Sequence, residues 1–173
     1  EYAGTLARGR DLSKDWHEEI LKSLNVASRG NTLTMRDVDK IMAQMTLLPV
    51  VRSAEKYYRG WLYVACDLLV MKVVRPDLYE GARQAKISMQ QIDAYFGSIE
   101  ESRVEVLHGN PNPRYDHVST WRRDLWRWLS GDMPRDDDRY GHFARMFNEI
   151  GVASGPQVVS RCSRIWLEIL TLA

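Results

Sequence analysis

Cysteine, strand signals and long apolar runs are all scarce in this chain of 173 residues. The two cysteines, Cys66 and Cys162, lie in apolar runs without a CxxC neighbour, which predicts buried free thiols and a reducing, intracellular setting. The most apolar stretch, 61–74, is shorter than the roughly 20 residues that a membrane-spanning helix needs, and it contains Asp67 and Lys72. We therefore expect no membrane partner.

Charge of one sign is not in excess either, because 24 Lys and Arg face 23 Asp and Glu. A nearly neutral chain gives no global argument for a nucleic-acid partner and leaves open only a local patch. Of the basic residues 18 are Arg, which pairs bidentately with carboxylate or phosphate, although GC-rich coding sequence gives the same bias. Since the chain begins at Glu1 rather than Met, we expect it to be a piece of a longer protein.

Catalytic, metal and cofactor motifs are missing from the sequence as well. It contains no GxGxxG and no GxxxxGK[ST], and its four histidines show no metal-ligand spacing. The acidic run 136–138 follows Pro134, where carboxylates suit the first turn of a helix. We therefore expect no cofactor, no metal and no enzymatic activity, and an enzyme stays open only if Asp116, His117 and His142 share a pocket.

What the sequence does contain is helical periodicity, with apolar residues recurring at i, i+3, i+4 and i+7. This predicts an all-α bundle of about seven helices. A first helix over 13–26 buries Trp16, Ile20, Leu21 and Leu24, and Thr34 with Asp37 caps a second one that ends before Pro49. Further helices are expected over 50–59, 61–74, 77–101, 119–129, 134–150 and 156–172.

Local signals also indicate the central helix and where helices and domains are divided. The stretch 61–74 is apolar almost all round, so we expect it to be the central helix of the core, with Gly60 as a break or a close packing point. Ser88 with Gln91 caps a separate helix if 77–101 is not continuous. The loop 109–113 predicts a division after a helical interaction module over 11–108. Residues 114–173 are then either a helical extension packed on that module or a neighbouring helical subdomain.

An Arg- and Trp-rich segment over 121–128 is the first candidate for a binding surface. As a helix it places Trp121, Leu125 and Trp128 on one stripe, which favours core packing with a solvated basic edge. Trp126 lies off that stripe, which makes it the best candidate for an exposed aromatic side chain. The alternative hypothesis is a helical RNA-binding or nucleoprotein-like domain. Its contacts are Arg122, Arg123, Trp126 and Arg127, with Arg114, Arg161 and Arg164 nearby.

The first half of the chain carries a resemblance to a known family. The segments 17–26, 37–48, 70–74 and 79–96 are together similar to the integrase-binding domains within the wider family of TFIIS N-terminal-like domains. The resemblance covers about residues 11–100, through apolar spacing and a few short identities. It implies a helix hairpin, a long apolar helix that ends in a basic and apolar loop, and a closing helix.

The resemblance also implies a function, since these domains bind disordered segments that bear acidic and aromatic residues. By position, the first binding loop is Asn25, Val26 and Ala27, and the second is Met71, Lys72 and Val73 with Arg75. Exposed valines and Met71 are then expected to hold an aromatic anchor, while Lys72 and Arg75 attract the acidic residues. Ala27 replaces an acidic residue of the integrase-binding domains. The first hypothesis is thus a non-catalytic interaction module of a nuclear transcription or chromatin protein.

Overall fold

The computed structural model describes residues 14–46, 59–96, 114–148 and 154–162. These residues form eight helices and no strand, which confirms the all-α prediction with a slightly higher helix count. In chain order they are α1 Lys14–Ala27, α2 Met35–Met45, α3 Arg59–Val74, α4 Pro76–Arg83, α5 Met89–Phe96, α6 Arg114–Ser130, α7 Tyr140–Asn148 and α8 Gly155–Cys162. Most of the helix predicted over 50–59, the loop 109–113 and residues 163–172 lie outside the described residues.

The first two helices follow the predicted signals closely. Trp16, Ile20 and Leu24 of α1 are buried, whereas Leu21 is 38% exposed, so its place on the buried stripe was wrong. The predicted cap of α2 is confirmed: the Thr34 hydroxyl accepts from the Asp37 amide, and the Asp37 carboxylate accepts from the Thr34 amide. This reciprocal pairing satisfies two backbone groups that every helix N-terminus leaves free.

Helix α3 is the central element, as its apolar sequence predicted. It packs against α1, α2, α4, α7 and α8, and its residues from Val64 to Met71 are buried. Gly60 lies inside α3, and a Cβ there would come within 2.9 Å of Met146 Cγ and Phe147 Cε1. The glycine is therefore a close packing point with α7 and not a helix break.

The segment predicted as one helix over 77–101 begins as two, α4 and α5. Pro76 is the first residue of α4, which suits a residue without an amide proton. The Ser88 amide donates to Gln91 Oε1 at 3.0 Å, and the Gln91 amide donates to Ser88 Oγ at 3.3 Å. The Ser88 cap was thus the correct alternative, and the continuous helix was wrong.

The helices after residue 114 share the core of the first half. α6 packs against α5, and α8 packs against α4 and α6, so one cluster of buried side chains joins both halves. The ring of Trp128 stacks on Phe147 with centroids 5.2 Å apart. At Gly155, a Cβ would come within 2.6 Å of Leu129 Cα, so only glycine allows this approach of α8 to α6.

Two predicted helix starts were misplaced. The helix expected over 119–129 begins at Arg114, so residue 119 lies within α6 and does not begin it. The helix expected from Pro134 begins at Tyr140, and the acidic run 136–138 lies in the turns before it. Asp137 instead accepts from the guanidinium of Arg139, and this hydrogen bond holds the pKa of the Asp137 carboxyl below its usual range. Across the described helices, none combines the length and apolar character that crossing a bilayer requires.

Candidate functional site

The first predicted binding loop is largely inside the protein. Val26 and Ala27 are buried at the end of α1, and Asn25 alone of the three is exposed. Met71 of the second loop is also fully buried. The expectation of an exposed aliphatic pocket built from Val26 and Met71 was therefore wrong, because both side chains lie on the sides of α1 and α3 that face the core.

The remaining residues of the second loop form a basic surface. Lys72 and Val73 are half-buried in the last turn of α3, and the ammonium of Lys72 lies 5.9 Å from the ring centroid of Tyr79. Burial lowers the pKa of Lys72, and the positive charges of Lys40 and Arg83 lower it further. The positive charges of Lys40 on α2 and Arg83 on α4 thus act on Lys72 of α3, and we call Lys40, Lys72 and Arg83 the basic end.

Arg75, the last residue of the predicted second loop, forms an ion pair with Asp77. Its Nε donates to Asp77 Oδ1 at 2.9 Å and its Nη2 donates to Asp77 Oδ2 at 2.8 Å. This bidentate pair raises the pKa of Arg75 and lowers that of Asp77. The positive charge of Arg83 is also partly compensated, since its Nε lies 3.4 Å from Glu80 Oε2. The positive charge of each of these two arginines is therefore partly compensated by a carboxylate of α4.

The predicted Arg and Trp surface on α6 is mostly not a surface. Trp126 and Arg122 are fully buried, so the interpretation of Trp126 as an exposed aromatic was wrong. Arg123 is partly exposed and pairs with Asp93, with Nη2 2.7 Å from Oδ1, while Arg127 is half-buried. The side chain of Arg114 and the whole of Arg164 lie outside the described residues. Two of the four residues proposed for RNA contact therefore cannot reach it.

Arg122 and Trp126 instead belong to a buried polar cluster that joins α1, α3 and α6. Arg122 donates to Glu19, to Asp67 Oδ2 at 3.0 Å and to the Tyr63 carbonyl at 3.0 Å. Asp67 also accepts from Trp126 Nε1 at 2.8 Å and from the hydroxyl of Ser23 at 2.7 Å. We call Glu19, Ser23, Asp67, Arg122 and Trp126 the buried ion network.

Two aromatic rings also lie close to the guanidinium of Arg122 in the buried ion network. The guanidinium of Arg122 lies 4.8 Å from the ring centroid of Tyr63 and 5.8 Å from that of Trp121, within range of cation–π attraction. Burial lowers the pKa of Arg122 to about 9, so that it stays charged at neutral pH. Burial raises the pKa of Asp67 to about 7, while the hydrogen bonds from Trp126 and Ser23 act in the opposite direction.

Sequence reasoning missed the network, although one signal was present. A carboxylate in the middle of the apolar stretch 61–74 requires a polar partner once that helix is central. Asp67 was such a residue, but its partners lie 44 to 59 positions away along the chain. Periodicity within one helix cannot identify them.

The enzyme hypothesis required Asp116, His117 and His142 to share a pocket, and the structure describes the side chain of His142 alone among them. His142 is exposed and lies edge-on to Phe143, whereas the side chains of Asp116 and His117 lie outside the described residues. Within the described ranges, no three His, Cys, Asp or Glu side chains are placed to hold a metal ion. Cys66 and Cys162 are buried free thiols in the core, as predicted.

The candidate site is thus the basic end, whose Lys72 lies on the same central helix as Asp67 of the buried ion network. Comparison of the chain with protein-family models, with curated proteins and with solved structures finds no match. The site is therefore interpreted from its own geometry.

Proposed function

We propose that this protein is a non-catalytic helical interaction module that binds an acidic protein segment at the basic end. The observation that supports this proposal is that the positive charges of Lys40 and Arg83, on two other helices, act on the charge of Lys72. Like charges held together by a fold repel one another, and a carboxylate that arrives between them relieves this repulsion. The chemistry of the site therefore favours an anionic partner.

Lys72 is the residue that gains most from such a partner. Its side chain is partly buried, and its ammonium is partly desolvated and lies 5.9 Å from the ring centroid of Tyr79. A charged group with reduced access to water attracts an opposite charge more strongly than a fully exposed one does. We therefore expect Lys72 to contribute more to affinity than Lys40 does.

Val73 supplies the apolar part of the proposed contact. It is half-buried beside Lys72 and packs against the core, which leaves an apolar edge next to the cations. An aromatic side chain beside a carboxylate in the partner would cover this edge while the carboxylate meets Lys72. A disordered segment with both residue types fits this pairing.

The cellular setting that we propose is the nucleus, in a transcription or chromatin protein. It rests on the resemblance of residues 11–100 to TFIIS N-terminal-like domains, whose partners are acidic and aromatic segments. The location of the contact differs from that expectation, since Val26 and Met71 are buried. What carries over to the present proposal is the charge of Lys72 and the apolar edge at Val73.

Fluorescence anisotropy tests the proposal directly. The probe is a short fluorescein-labelled peptide in which Asp and Glu flank one Phe, and its control replaces the acids by Asn and Gln. We expect Lys72→Glu to weaken binding by about tenfold, equivalent to roughly 1.4 kcal/mol, and Lys40→Glu to weaken it less. Added salt should weaken the wild-type complex, because exposed charges are screened.

Arg135→Glu is the matched control, since it makes the same charge change at an exposed residue in the turns before α7. Its affinity should stay within about twofold of the wild type, a change too small to reflect a direct contact. Equal effects of Lys72→Glu and Arg135→Glu would refute the basic end as the site. Failure of the wild-type protein to distinguish the acidic from the amide peptide would refute the function.

A further inference from the structure

The buried ion network contains more negative than positive charge. Its carboxylates are Glu19 and Asp67, and its cation is Arg122, all of them with side chains at most 6% exposed. When both carboxylates are ionised, the network carries one net negative charge inside the core. Lys22 reaches Glu19 from the solvent side at 3.3 Å, but its own side chain is 48% exposed and so screened by water.

An uncompensated buried charge is unfavourable, and the simplest relief is to bind a proton. The geometry around Asp67 suits this change. Its Oδ1 lies 2.7 Å from the hydroxyl of Ser23, and a hydroxyl can turn to accept a hydrogen bond as readily as it donates one. Asp67 Oδ2 meanwhile keeps its hydrogen bonds from Trp126 and Arg122. A protonated Asp67 therefore keeps a hydrogen bond at each of its two oxygens.

The other titratable groups near Asp67 do not remove the excess charge. Burial raises the pKa of the Cys66 thiol, and the charge of Asp67 raises it further, so this neighbour stays neutral. The phenol of Tyr95 on α5 and the thiol of Cys162 on α8 are held neutral by burial in the same way. From α2 and α4, Lys40 and Arg83 lie at the basic end beside Lys72. Helix α7 presents His142 and Arg145 on its exposed face.

We propose that the buried ion network binds one proton near neutral pH and acts as a pH-sensitive latch that fastens α6 to α1 and α3. With the proton bound, Glu19 and Arg122 form a balanced pair and the contact is strongest. With the proton lost, the excess charge in the core weakens the docking of α6. The network lies inside the core and the basic end on the surface, so either proposal can fail without the other.

The direction of the pH effect follows from the two states of Asp67. Burial raises its pKa to about 7 in the folded protein, against 3.8 when it is exposed. The folded state then binds more protons than the unfolded state between these values, so stability decreases as pH rises through this window. For one such group the unfolding equilibrium constant increases about 50-fold between pH 5 and pH 7.

Urea unfolding of the whole chain tests the latch. Wild type and Asp67→Asn are compared at pH 5, 6, 7 and 8, since asparagine imitates the neutral acid and does not titrate. The ratio of their unfolding constants should change by about 50-fold between pH 5 and pH 7. Asp93→Asn, at a carboxylate 43% exposed, is the control and should follow the wild-type pH dependence.

Side-chain carboxyl NMR on the wild-type protein provides a test that needs no variant. A carboxyl carbon of Glu19 or Asp67 that titrates between pH 6 and pH 8 would support the latch, whichever of the coupled pair reports it. If both titrate below pH 5, the latch is overturned. The same conclusion follows if wild type and Asp67→Asn show parallel pH dependences of unfolding.

Discussion

Replacing Arg122 by Met is the perturbation that bears most directly on the buried ion network. The substitution keeps an unbranched side chain but leaves Glu19, Asp67 and the Tyr63 carbonyl without their shared donor. Removing one partner of a buried ion pair destabilises proteins by about 3–5 kcal/mol. Because two carboxylates lose the same cation, we expect a loss near the upper end of that range at pH 7.5.

Such a loss is a large part of the roughly 5–15 kcal/mol that stabilises a typical domain. It should become smaller at pH 5, because the stranded carboxylates can take up protons and become neutral. Urea unfolding followed by circular dichroism at both pH values measures the effect. The folded spectrum at pH 5 shows whether the variant retains its helices.

Arg123→Met is the matched control, since Arg123 is the next residue on α6 and makes a partly exposed pair with Asp93. Exposed pairs contribute about 0–1 kcal/mol, so this variant should lose less than about 1 kcal/mol. An Arg122→Met loss as small as that of Arg123→Met would refute the burial of the network. A loss that does not diminish at pH 5 would refute the reasoning about stranded carboxylates.

Three further outcomes are expected from local geometry. Gly155→Ala should destabilise the protein by at least about 1–3 kcal/mol, because the added Cβ would collide with the backbone of Trp128. Gly141→Ala should be neutral or slightly stabilising, because a Cβ at Gly141 meets nothing within 4 Å. Thr34→Ala should remove about 1 kcal/mol through loss of the α2 cap. Phe147→Ala should remove about 3–5 kcal/mol, since its ring stacks on Trp128 and is fully buried. Thermal or urea unfolding of each variant checks these values, and equal stabilities of the two glycine variants would contradict the packing argument.

Much of the fold could be predicted because its signals are local. The Thr34 cap depends on a residue three positions away, and the Ser88 cap depends on Gln91 in the same manner. The central position of α3 follows from its composition, since a helix that is apolar on all sides must be surrounded. The start of α7 was less predictable, because Asp137 pairs with Arg139 in a turn instead of opening a helix at Pro134.

The candidate site was harder to predict, because exposure is a property of the assembled helices. Val26 and Met71 lie in the last turns of their helices, and a sequence does not show which side of a last turn faces solvent and which faces a neighbouring helix. The basic end depends on Lys40 of α2 meeting Lys72 of α3, which is set by how the two helices pack. Lys72 and Val73, which the resemblance places in the second loop, are half-buried.

The sequence by itself determined that the described residues are helical, that Thr34 and Ser88 cap their helices and that 61–74 lies at the centre of the core, because these properties depend on neighbours within a few positions. Only the tertiary structure decided the fate of Arg122 and Trp126. In the sequence of α6, Arg122 is charged and Trp126 lies off the apolar stripe, yet both are buried. Arg122 pairs with Glu19, 103 positions away, and with Asp67, 55 positions away, and Trp126 donates to Asp67, 59 positions away. A buried charge is stable only beside its partner, and distant partners meet only in the folded chain.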